Sequence, residues 1–446
     1  MLLKKANFQN NYLFMKKLLG IVVLGLLLSG NAYANDRYIK DFDHWLLNNN
    51  HNLRVKDLDI KFYKNRSNIP WDGKPNKDTL LYYAFRFLAD AKAFNKVGSK
   101  GSKNPYEFEF NLREDKYVKK QMNKTALLSY LLYENGKITV DEITPYERFG
   151  IVFKDNTRWT SASVGKSLVS YLTGHAICEG YIDGIDTRLN DWPLLANTLF
   201  YDQKLIDILN MAAGDQKYSK FNFTKAPKAF GKDWSRNPNN NTIKFHMQSG
   251  IFKDSKKGKN KYNYSNVVPN VVINYVNFKS NGNFQKLLDK IFISKAKVKY
   301  SVYFLGMNSN TVQRGYQVQD TDGLIRYSFR ASRYDYLRIA KAILDDWQND
   351  TCVGKYLKNI HERRIPKNNK WKDDNSASLN SKSYAGFFHT NYSGISSKKR
   401  NVMGMVGYGG QSIIIDFDKG RINVINSIHI DYNWKKIAHS VIKKGK

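Results

Sequence analysis

Residues 158–169 read RWTSASVGKSLV and contain two overlapping motifs. Gly165-Lys166-Ser167 has the form of the end of a phosphate-binding loop, whereas Ser163 and Lys166 lie one helical turn apart, as in a serine–lysine nucleophile pair. A phosphate-binding loop needs an earlier glycine at the position where this chain has Thr160. The nucleotide interpretation therefore has little support, and the serine–lysine interpretation depends on the rest of the sequence.

The residues after Ser163 predict one helix that runs to Glu179 and ends before Gly180. Its apolar positions recur at helical spacing and are Val164, Leu168, Tyr171, Leu172 and Ile177. Ser163 would lie in the first turn with Lys166 on the same face. A neutral lysine can take the proton of a serine hydroxyl, and the positive potential of a helix N-terminus disfavours the lysine cation. The segment therefore favours a serine nucleophile with a lysine base.

The N-terminal residues 1–34 have the form of a secretory signal peptide. Met15-Lys16-Lys17 precedes the apolar run LLGIVVLGLLL, and Ala32-Tyr33-Ala34 supplies small residues before a cleavage point. We expect the mature chain to begin near Asn35 and to be secreted across the inner membrane into the periplasm. Met15 is an alternative start, and an uncleaved N-terminal anchor is the alternative to a cleaved signal.

The formal net charge is +33, and removal of the four lysines in residues 1–34 leaves +29. The lysines lie throughout the chain and do not form a nucleic-acid recognition motif. We expect no specific nucleic-acid partner, but electrostatic association with anionic envelope polymers. The chain has two cysteines, Cys178 and Cys352, which is too few for a disulfide framework, and Cys178 is expected to pack as a small hydrophobic residue.

The sequence divides into an N-terminal extension, residues 35–121, and a main domain, residues 122–446. In the extension, KDTLLYYAFRFLADAKAF predicts an amphipathic helix and NKVGSKGSKNP (95–105) a flexible link. In the main domain, apolar runs on either side of Asn135-Gly136 predict a β-hairpin, and residues 331–347 a helix. GQSIIIDF and RINVINSI predict a hairpin around Asp418-Lys419-Gly420, followed by a C-terminal helix in WKKIAHSVIKKG. We predict one antiparallel sheet built from both ends of the domain and packed by helices.

Several stretches follow one another in an order that resembles the serine β-lactamase and penicillin-recognising superfamily. They are Ser163-Val164-Gly165-Lys166, GHAICEGYIDGIDTRLNDW, IDILNMAAG and YNYSN, which ends at Asn266. The chain looks most like the branch that holds class C β-lactamases, related esterases and 6-aminohexanoate-oligomer hydrolases. The resemblance implies an α/β (α+β), β-lactamase-like fold with an antiparallel sheet, flanking helices and a helical subdomain. It also implies that Ser163 is acylated, that Lys166 and Tyr264 shuttle protons, and that Asn266 orients Lys166 or a substrate amide.

A third motif of that superfamily lies on a strand beside the serine and often reads Lys-Thr-Gly or His-Thr-Gly. Residues 404–417, GMVGYGGQSIIIDF, fill this place, with Met405-Val406-Gly407 in the three motif positions. The backbone N–H of Tyr408 would then pair with that of Ser163 as an oxyanion hole. Because no cation stands in the motif to bind a substrate carboxylate, the sequence favours esterase or amide-oligomer hydrolase activity over activity on penicillins.

Other interpretations of these residues are weaker. His175 lies on the apolar side of the predicted helix and is expected to be a core residue, and Tyr264 by itself could pack in a core. No Gly-x-Ser-x-Gly elbow and no metal-ligand cluster occurs, so we expect neither an α/β-hydrolase fold nor a metal or cofactor. We predict an exported serine hydrolase that cleaves a small ester or amide. The alternatives are a catalytically silent envelope-binding protein on the same fold, or a β-lactamase or D-amino-acid peptidase.

Overall fold

The computed structural model describes residues 95–146, 150, 153–218, 242–307, 324–367, 380–392 and 400–444. All of them belong to one compact unit, Asp90–Lys446. The predicted signal peptide and the predicted helix KDTLLYYAFRFLADAKAF lie outside the described residues. Within the described part of the chain, no helix combines the length and the apolar character that crossing a membrane requires.

The larger sheet has nine strands among the described residues, in the order β2-β4-β3-β13-β12-β11-β10-β9-β8. Strand β3 near the beginning of the unit pairs antiparallel with β13 near its end, so both ends build the sheet, as predicted. All its pairs are antiparallel except β2 with β4. The strands are β2 (Glu109–Phe110), β3 (Leu127–Glu134), β4 (Lys137–Ile143), β8 (Ile365–Pro366), β9 (Ser381–Ala385), β10 (Phe388–Tyr392), β11 (Val402–Val406), β12 (Ser412–Asp416) and β13 (Arg421–Ser427).

A smaller antiparallel sheet has the order β1-β6-β7-β5 among the described residues. Its strands are β1 (Asn95–Ser99), β5 (Trp159–Thr160), β6 (Val302–Met307) and β7 (Leu324–Ala331). The short strand β5 leads directly into the serine segment, so this sheet carries the residues that precede Ser163.

The two predicted hairpins are confirmed. Asn135 (φ 53°) and Gly136 (φ 80°) form the turn between β3 and β4, and both occupy the left-handed region that asparagine and glycine tolerate best. The second hairpin joins β12 to β13 through a turn in which Gly420 has φ 59°. These turns set the strand register because they need backbone conformations that few residue types adopt at low cost.

Helices cover both faces of the larger sheet. Helix α1 and the C-terminal helix pack on one face around a cluster that includes Val118, Tyr130 and Trp434, while α2 contacts β11 and α6 contacts β3, β12 and β13. The helices are α1 (Lys116–Lys124), α2 (Val164–Cys178), α3 (Leu205–Leu209), α4 (Val268–Lys279), α5 (Phe284–Asp289, continued by a π-type turn Lys290–Lys295), α6 (Arg333–Gln348), α7 (Cys352–Glu362) and α8 (Ser440–Lys444, preceded by a π-type turn Lys435–His439). Predicted helices at 163–179, at 331–347 and at the C-terminus are confirmed.

Residues 95–121, assigned from the sequence to the extension, contribute to both sheets. Strand β1 pairs with β6 along its whole length, β2 pairs with β4, and α1 begins at Lys116. The prediction of a flexible link over 95–105 is therefore wrong for residues 95–99. The stretch resembles a linker because Val97 is its single large apolar side chain. Its glycine has a structural reason, since Gly98 lies so close to β6 that a Cβ would stand 2.0 Å from the Val302 carbonyl oxygen.

The expectation for the cysteines is also wrong. Cys178 and Cys352 form a disulfide across 174 residues, with their Cα atoms 5.8 Å apart. Cys178 ends α2 and Cys352 begins α7, and these two helices pack together in the fold. The bridge thus links α2, which carries the serine segment, to α7, which follows α6 in the chain. No local sequence pattern could indicate this pairing.

We expect the Cys178→Ala/Cys352→Ala double variant to lose about 2–4 kcal/mol of unfolding free energy, because the bridge restricts a long loop in the unfolded chain. Urea unfolding followed by far-UV circular dichroism measures this loss. Reduction of the wild-type protein should lower its urea midpoint, whereas reductant should leave the double variant unchanged. Equal midpoints for oxidised and reduced wild-type protein would contradict the prediction.

Candidate active site

The turn before α2 is held on the smaller sheet by Ser161. Its backbone N–H donates to the Phe329 carbonyl at 2.8 Å, and its hydroxyl accepts from the Phe329 N–H at 2.7 Å. The next residue, Ala162, has φ 44°, a left-handed conformation that costs an alanine about 1–2 kcal/mol. Ser163 follows at the N-terminus of α2, and its hydroxyl makes no capping bond to the helix. The fold therefore holds Ser163 in a strained turn without using its hydroxyl for structure.

The Gly-Lys-Ser sequence at 165–167 is packed in the interior of the protein. Gly165 lies against β7 so closely that a Cβ would stand 1.9 Å from the Tyr327 carbonyl oxygen. The buried Ser167 hydroxyl donates to the Phe387 carbonyl at 2.7 Å. Lys166 is fully buried. These three residues are enclosed by protein, so they present no phosphate-binding surface.

Lys166 points toward the segment that contains the predicted tyrosine. Its Nζ donates to the Ser265 carbonyl at 2.9 Å and to Asn266 Oδ1 at 2.7 Å. Burial lowers the pKa of Lys166 well below its ordinary value of 10.5. Within the described residues it forms no ion pair that would restore the charge. A neutral amine has two N–H donors, and both have acceptors here, so its lone pair is available for a proton.

The structure brings Tyr264 and Asn266 together with Ser163 and Lys166, as predicted. The Tyr264 ring centroid lies 3.8 Å from Lys166 Nζ, and Ser163 is a neighbour of its hydroxyl. Burial of the phenol, together with the neighbouring Tyr327, raises the pKa of Tyr264. The residue remains 39% exposed at the surface. Ser265, between Tyr264 and Asn266 in the sequence, has a structural role. Its hydroxyl accepts hydrogen bonds from the Val267 and Val268 N–H groups where α4 begins.

A second tyrosine, Tyr327, lies at the serine and was not predicted from the sequence. Its hydroxyl donates to Asn266 Oδ1 at 3.0 Å and has Ser163 as a neighbour, and its ring centroid lies 4.7 Å from Lys166 Nζ. Burial raises the pKa of Tyr327. Its stretch, LIRYSFRA, looks like an ordinary strand, so no sequence signal distinguished Tyr327 from other strand tyrosines.

Two asparagines of α4 fix the position of Tyr327. Asn270 Oδ1 accepts from the Tyr327 N–H at 2.9 Å. Asn274 accepts from the Ile325 N–H at 3.1 Å and donates to the Ile325 carbonyl at 2.9 Å, as a neighbouring strand would. Because α4 starts directly after Asn266, these bonds set the distance between the Tyr-Ser-Asn segment and β7. The four groups around Ser163 are thereby held by backbone contacts as well as by side chains.

The predicted third motif lies beside the serine turn. A Cβ on Gly407 would stand 2.4 Å from the Ser161 carbonyl and 3.2 Å from the Ala162 Cβ, so the end of β11 touches this turn. Met405 is fully buried in β11 and supplies no cation. Tyr408 begins a short 3₁₀ turn after Gly407 and is 56% exposed. Within the described residues, the Ser163 N–H has no hydrogen-bond acceptor, which suits a group that would bind an oxyanion.

A second group of titratable residues lies behind Tyr264. The Tyr264 ring contacts that of Tyr384, which packs edge-on against His389 with centroids 5.1 Å apart. His389 Nδ1 lies 3.2 Å from Lys367 Nζ and 3.1 Å from the Ser381 hydroxyl. Burial, and then Lys382, lower the pKa of Lys367 to about 7, and burial lowers that of His389 well below its usual range. This group belongs to the wall of the site rather than to its opening, since Ser381 and His389 are buried.

Across the described part of the chain, no cluster of histidine, cysteine or carboxylate side chains has a metal-binding arrangement. His175, on α2, is buried against the Tyr171 ring, as expected for a core residue, and burial lowers its pKa to about 4.

Comparison with solved structures identifies the fold. The chain is similar to a proposed 6-aminohexanoate-dimer hydrolase from Bacillus anthracis, with a TM-score of 0.56, 12% identity, and coverage of 85% of this chain and 96% of that one. It is also similar to a proposed β-lactamase from Bacteroides dorei DSM 17855, with a TM-score of 0.51, 12% identity, and coverage of 73% and 96%. No protein-family model and no curated protein matches the chain. The predicted β-lactamase-like α/β fold is confirmed.

We expect Gly165→Ala to destabilise the protein by about 1–3 kcal/mol, because its new methyl group would meet the backbone of β7. Gly184→Ala is the matched control, since a Cβ there meets no atom within 4 Å. That control should change the unfolding free energy by less than about 0.5 kcal/mol. Urea unfolding compares the two variants, and equal stabilities would show that α2 does not require the close approach to β7.

Proposed function

We propose that this protein is a serine hydrolase that cleaves an ester or amide through an acyl-enzyme on Ser163. The observation that carries the proposal is the state of Lys166, a buried amine beside Ser163 whose two N–H donors are occupied and whose charge no carboxylate of the described residues compensates. A lysine held in this way can act as a base at neutral pH. The β-lactamase-like fold is consistent with this chemistry but does not by itself assign it.

In the proposed first step, Ser163 Oγ attacks the carbonyl carbon of the substrate while Lys166 Nζ takes the hydroxyl proton, directly or through Tyr264. The carbonyl oxygen becomes an oxyanion, for which the Ser163 and Tyr408 N–H groups are the donors. Collapse of the tetrahedral intermediate breaks the bond to the leaving alcohol or amine. That group takes the proton from Lys166 through Tyr264, and Ser163 remains acylated.

In the second step, a water molecule attacks the acyl-enzyme and gives its proton to the same base. The tetrahedral intermediate then releases the carboxylic acid, and the proton returns to Ser163 Oγ. Because burial raises the pKa of both Tyr264 and Tyr327, they are phenols at neutral pH and relay protons rather than act as the resting base. Asn266 and Tyr327 hold Lys166 in place through the shared Asn266 Oδ1.

The opening of the site favours an uncharged acyl group. Tyr264, Tyr408 and Ile430 are exposed large side chains there, and Ile430 lies beside Gly410 of the same turn as Tyr408. In the predicted third motif, Met405 takes the position at which the superfamily often has a cation, and it is buried. We therefore propose simple acyl esters or amides as substrates in preference to penicillins or peptidoglycan stems.

We further propose that the protein works outside the cytoplasm. The residues that carry the predicted signal peptide are not described by the structure, but the Cys178–Cys352 disulfide supports export, since such bonds persist mainly in oxidising compartments.

A fluorophosphonate probe tests the nucleophile. We expect it to label the wild-type protein, with the adduct on Ser163 by peptide mass spectrometry, because only an activated serine reacts with such a probe. Ser163→Ala should not be labelled, while Ser294→Ala, at an exposed serine in the turn Lys290–Lys295, should still be labelled on Ser163. Unchanged labelling of Ser163→Ala would overturn the proposal, and absence of labelling and of ester turnover in the wild type would favour a silent envelope-binding protein.

The pH profile tests the base. If neutral Lys166 takes the proton, kcat/KM for a p-nitrophenyl ester should rise with pH through an ionisation well below 10.5, because the protonated amine cannot act. Lys166→Arg should lose about 10²–10⁴-fold in kcat/KM, since guanidinium stays protonated.

Lys367 provides the control for this profile, since its pKa of about 7 lies in the same pH range. Lys367→Met should retain the rise of kcat/KM with pH if Lys166 causes it. Loss of the rise in Lys367→Met, or robust activity of Lys166→Arg, would assign the ionisation to another group.

A further inference from the structure

The loop that leads to Tyr264 carries an unusual local charge. Residues 253–261 read KDSKKGKNK, with five lysines and one carboxylate, Asp254. All five lysines are exposed, and within the described residues none of them forms an ion pair. Like charges this close repel one another, and Asp254 is the single carboxylate of the loop that opposes them. The five lysines are Lys253, Lys256, Lys257, Lys259 and Lys261, here called the lysine rim.

The backbone of this loop is held in place. The Gly258 N–H donates to the Gly214 carbonyl at 2.7 Å, and Gln216 Nε2 donates to the Lys259 carbonyl at 2.7 Å. A Cβ on Gly258 would stand 2.4 Å from Gln216 Oε1, so the two segments touch. The lysine side chains therefore extend from a fixed backbone, and the fold maintains a concentrated positive potential at one place.

One end of the lysine rim, Lys261, lies near the proposed catalytic residues. Asn263 connects it to them, since its N–H donates to the Met211 carbonyl at 2.8 Å and its side chain donates to buried Asp215 at 2.8 Å. Lys261 precedes Tyr264 by three residues, so their Cα atoms are at most about 11 Å apart. Tyr264 is partly exposed. A ligand bound by the lysine rim would thus extend to the opening above Ser163.

The composition of the loop narrows the kind of ligand. Between Lys253 and Lys261 there is no apolar or aromatic residue. Insertion into a membrane interface needs apolar side chains, and single-stranded nucleic acids are usually held by stacking on aromatic rings. The density of charge in this loop suits recognition of repeated negative charge, as in a linear polymer of phosphates or carboxylates.

We propose that the lysine rim binds a linear anionic polymer and presents an acyl group carried on that polymer to Ser163. Presentation of the acyl group to Ser163 rests on the proposed function, whereas binding of the polymer does not. The division of tasks agrees with the residues themselves, since the predicted third motif carries no cation at Met405 whereas the loop before Tyr264 carries five lysines. The polymer would supply affinity, and the uncharged acyl group would enter the cleft.

Two variants with the same change of net charge test the proposal. One replaces the lysine rim by glutamine (K253Q/K256Q/K257Q/K259Q/K261Q). The control replaces five exposed lysines on α1, α7, the β12–β13 turn and α8 (K120Q/K124Q/K355Q/K419Q/K443Q). The dissociation constants of fluorescent poly-γ-glutamate and of fluorescent polyphosphate are measured by anisotropy at low and at moderate salt, so that carboxylate and phosphate sources are compared.

We expect the rim variant to weaken binding of at least one polymer by about tenfold or more and to reduce the salt dependence, because fewer counterions are exchanged. The control should weaken binding by less than about threefold, since it removes only distant charge. Equal losses in the two variants would assign binding to overall charge and overturn the proposal. So would absence of polymer binding by the wild type, or preference for anionic lipid vesicles over both polymers.

Presentation of the acyl group to Ser163 is tested separately from polymer binding. Ser163→Ala should bind the polymers as the wild type does, so loss of the proposed hydrolase activity would leave the binding result intact. In the active protein, a polymer without acyl groups should raise KM for p-nitrophenyl acetate, in the wild type and the control but not in the rim variant. A polymer that binds through the lysine rim without affecting KM would show that the rim does not lead to Ser163.

Discussion

The buried amine of Lys166 is the constraint on which the rest of the site depends. A charged ammonium in a dry interior without a carboxylate partner is costly, so the fold stabilises a lysine that gives up its proton easily. The neighbours of Lys166 are suited to this state, since they are a carbonyl, an amide oxygen and two aromatic faces. All of these groups are neutral, and all tolerate an amine that alternates between charged and uncharged forms.

Strand β7 supplies the rigid reference for these groups. It binds Ser161 on one side, lies close against Gly165, and donates its Tyr327 and Ile325 N–H groups to Asn270 and Asn274 of α4. Because α2 and the Tyr-Ser-Asn segment are both fixed to the same strand, their mutual distance does not depend on the long segments between them. This arrangement also explains why Ala162 can remain in a left-handed conformation, since the contacts on both sides of it determine its backbone.

The chemistry of the cleft and that of its surroundings are different. The proposed reacting centre contains tyrosines, an amide and a neutral lysine, whereas the loop that precedes Tyr264 carries the densely charged lysine rim. Charge at the rim can attract and orient a ligand over several ångströms, while the neutral interior leaves the pKa of Lys166 low. A protein with a large positive net charge thus keeps that charge out of the proposed reacting centre.

The sequence by itself determined the helix that carries Ser163 and Lys166 and the two hairpins, because helix periodicity and turn residues are local signals. The β-lactamase-like fold and the choice of Tyr264 and Asn266 followed from the order of motifs that resembles a known superfamily. The same order located Gly407 beside the serine turn. Only the tertiary structure decided the role of Tyr327, the Cys178–Cys352 bridge, the recruitment of residues 95–99 to a sheet, and the Lys367–His389 pair. Each of these depends on contacts between residues far apart in the chain, and such contacts leave no periodic pattern in the sequence. Their positions follow from how helices and sheets pack, which is a property of the whole chain rather than of any segment.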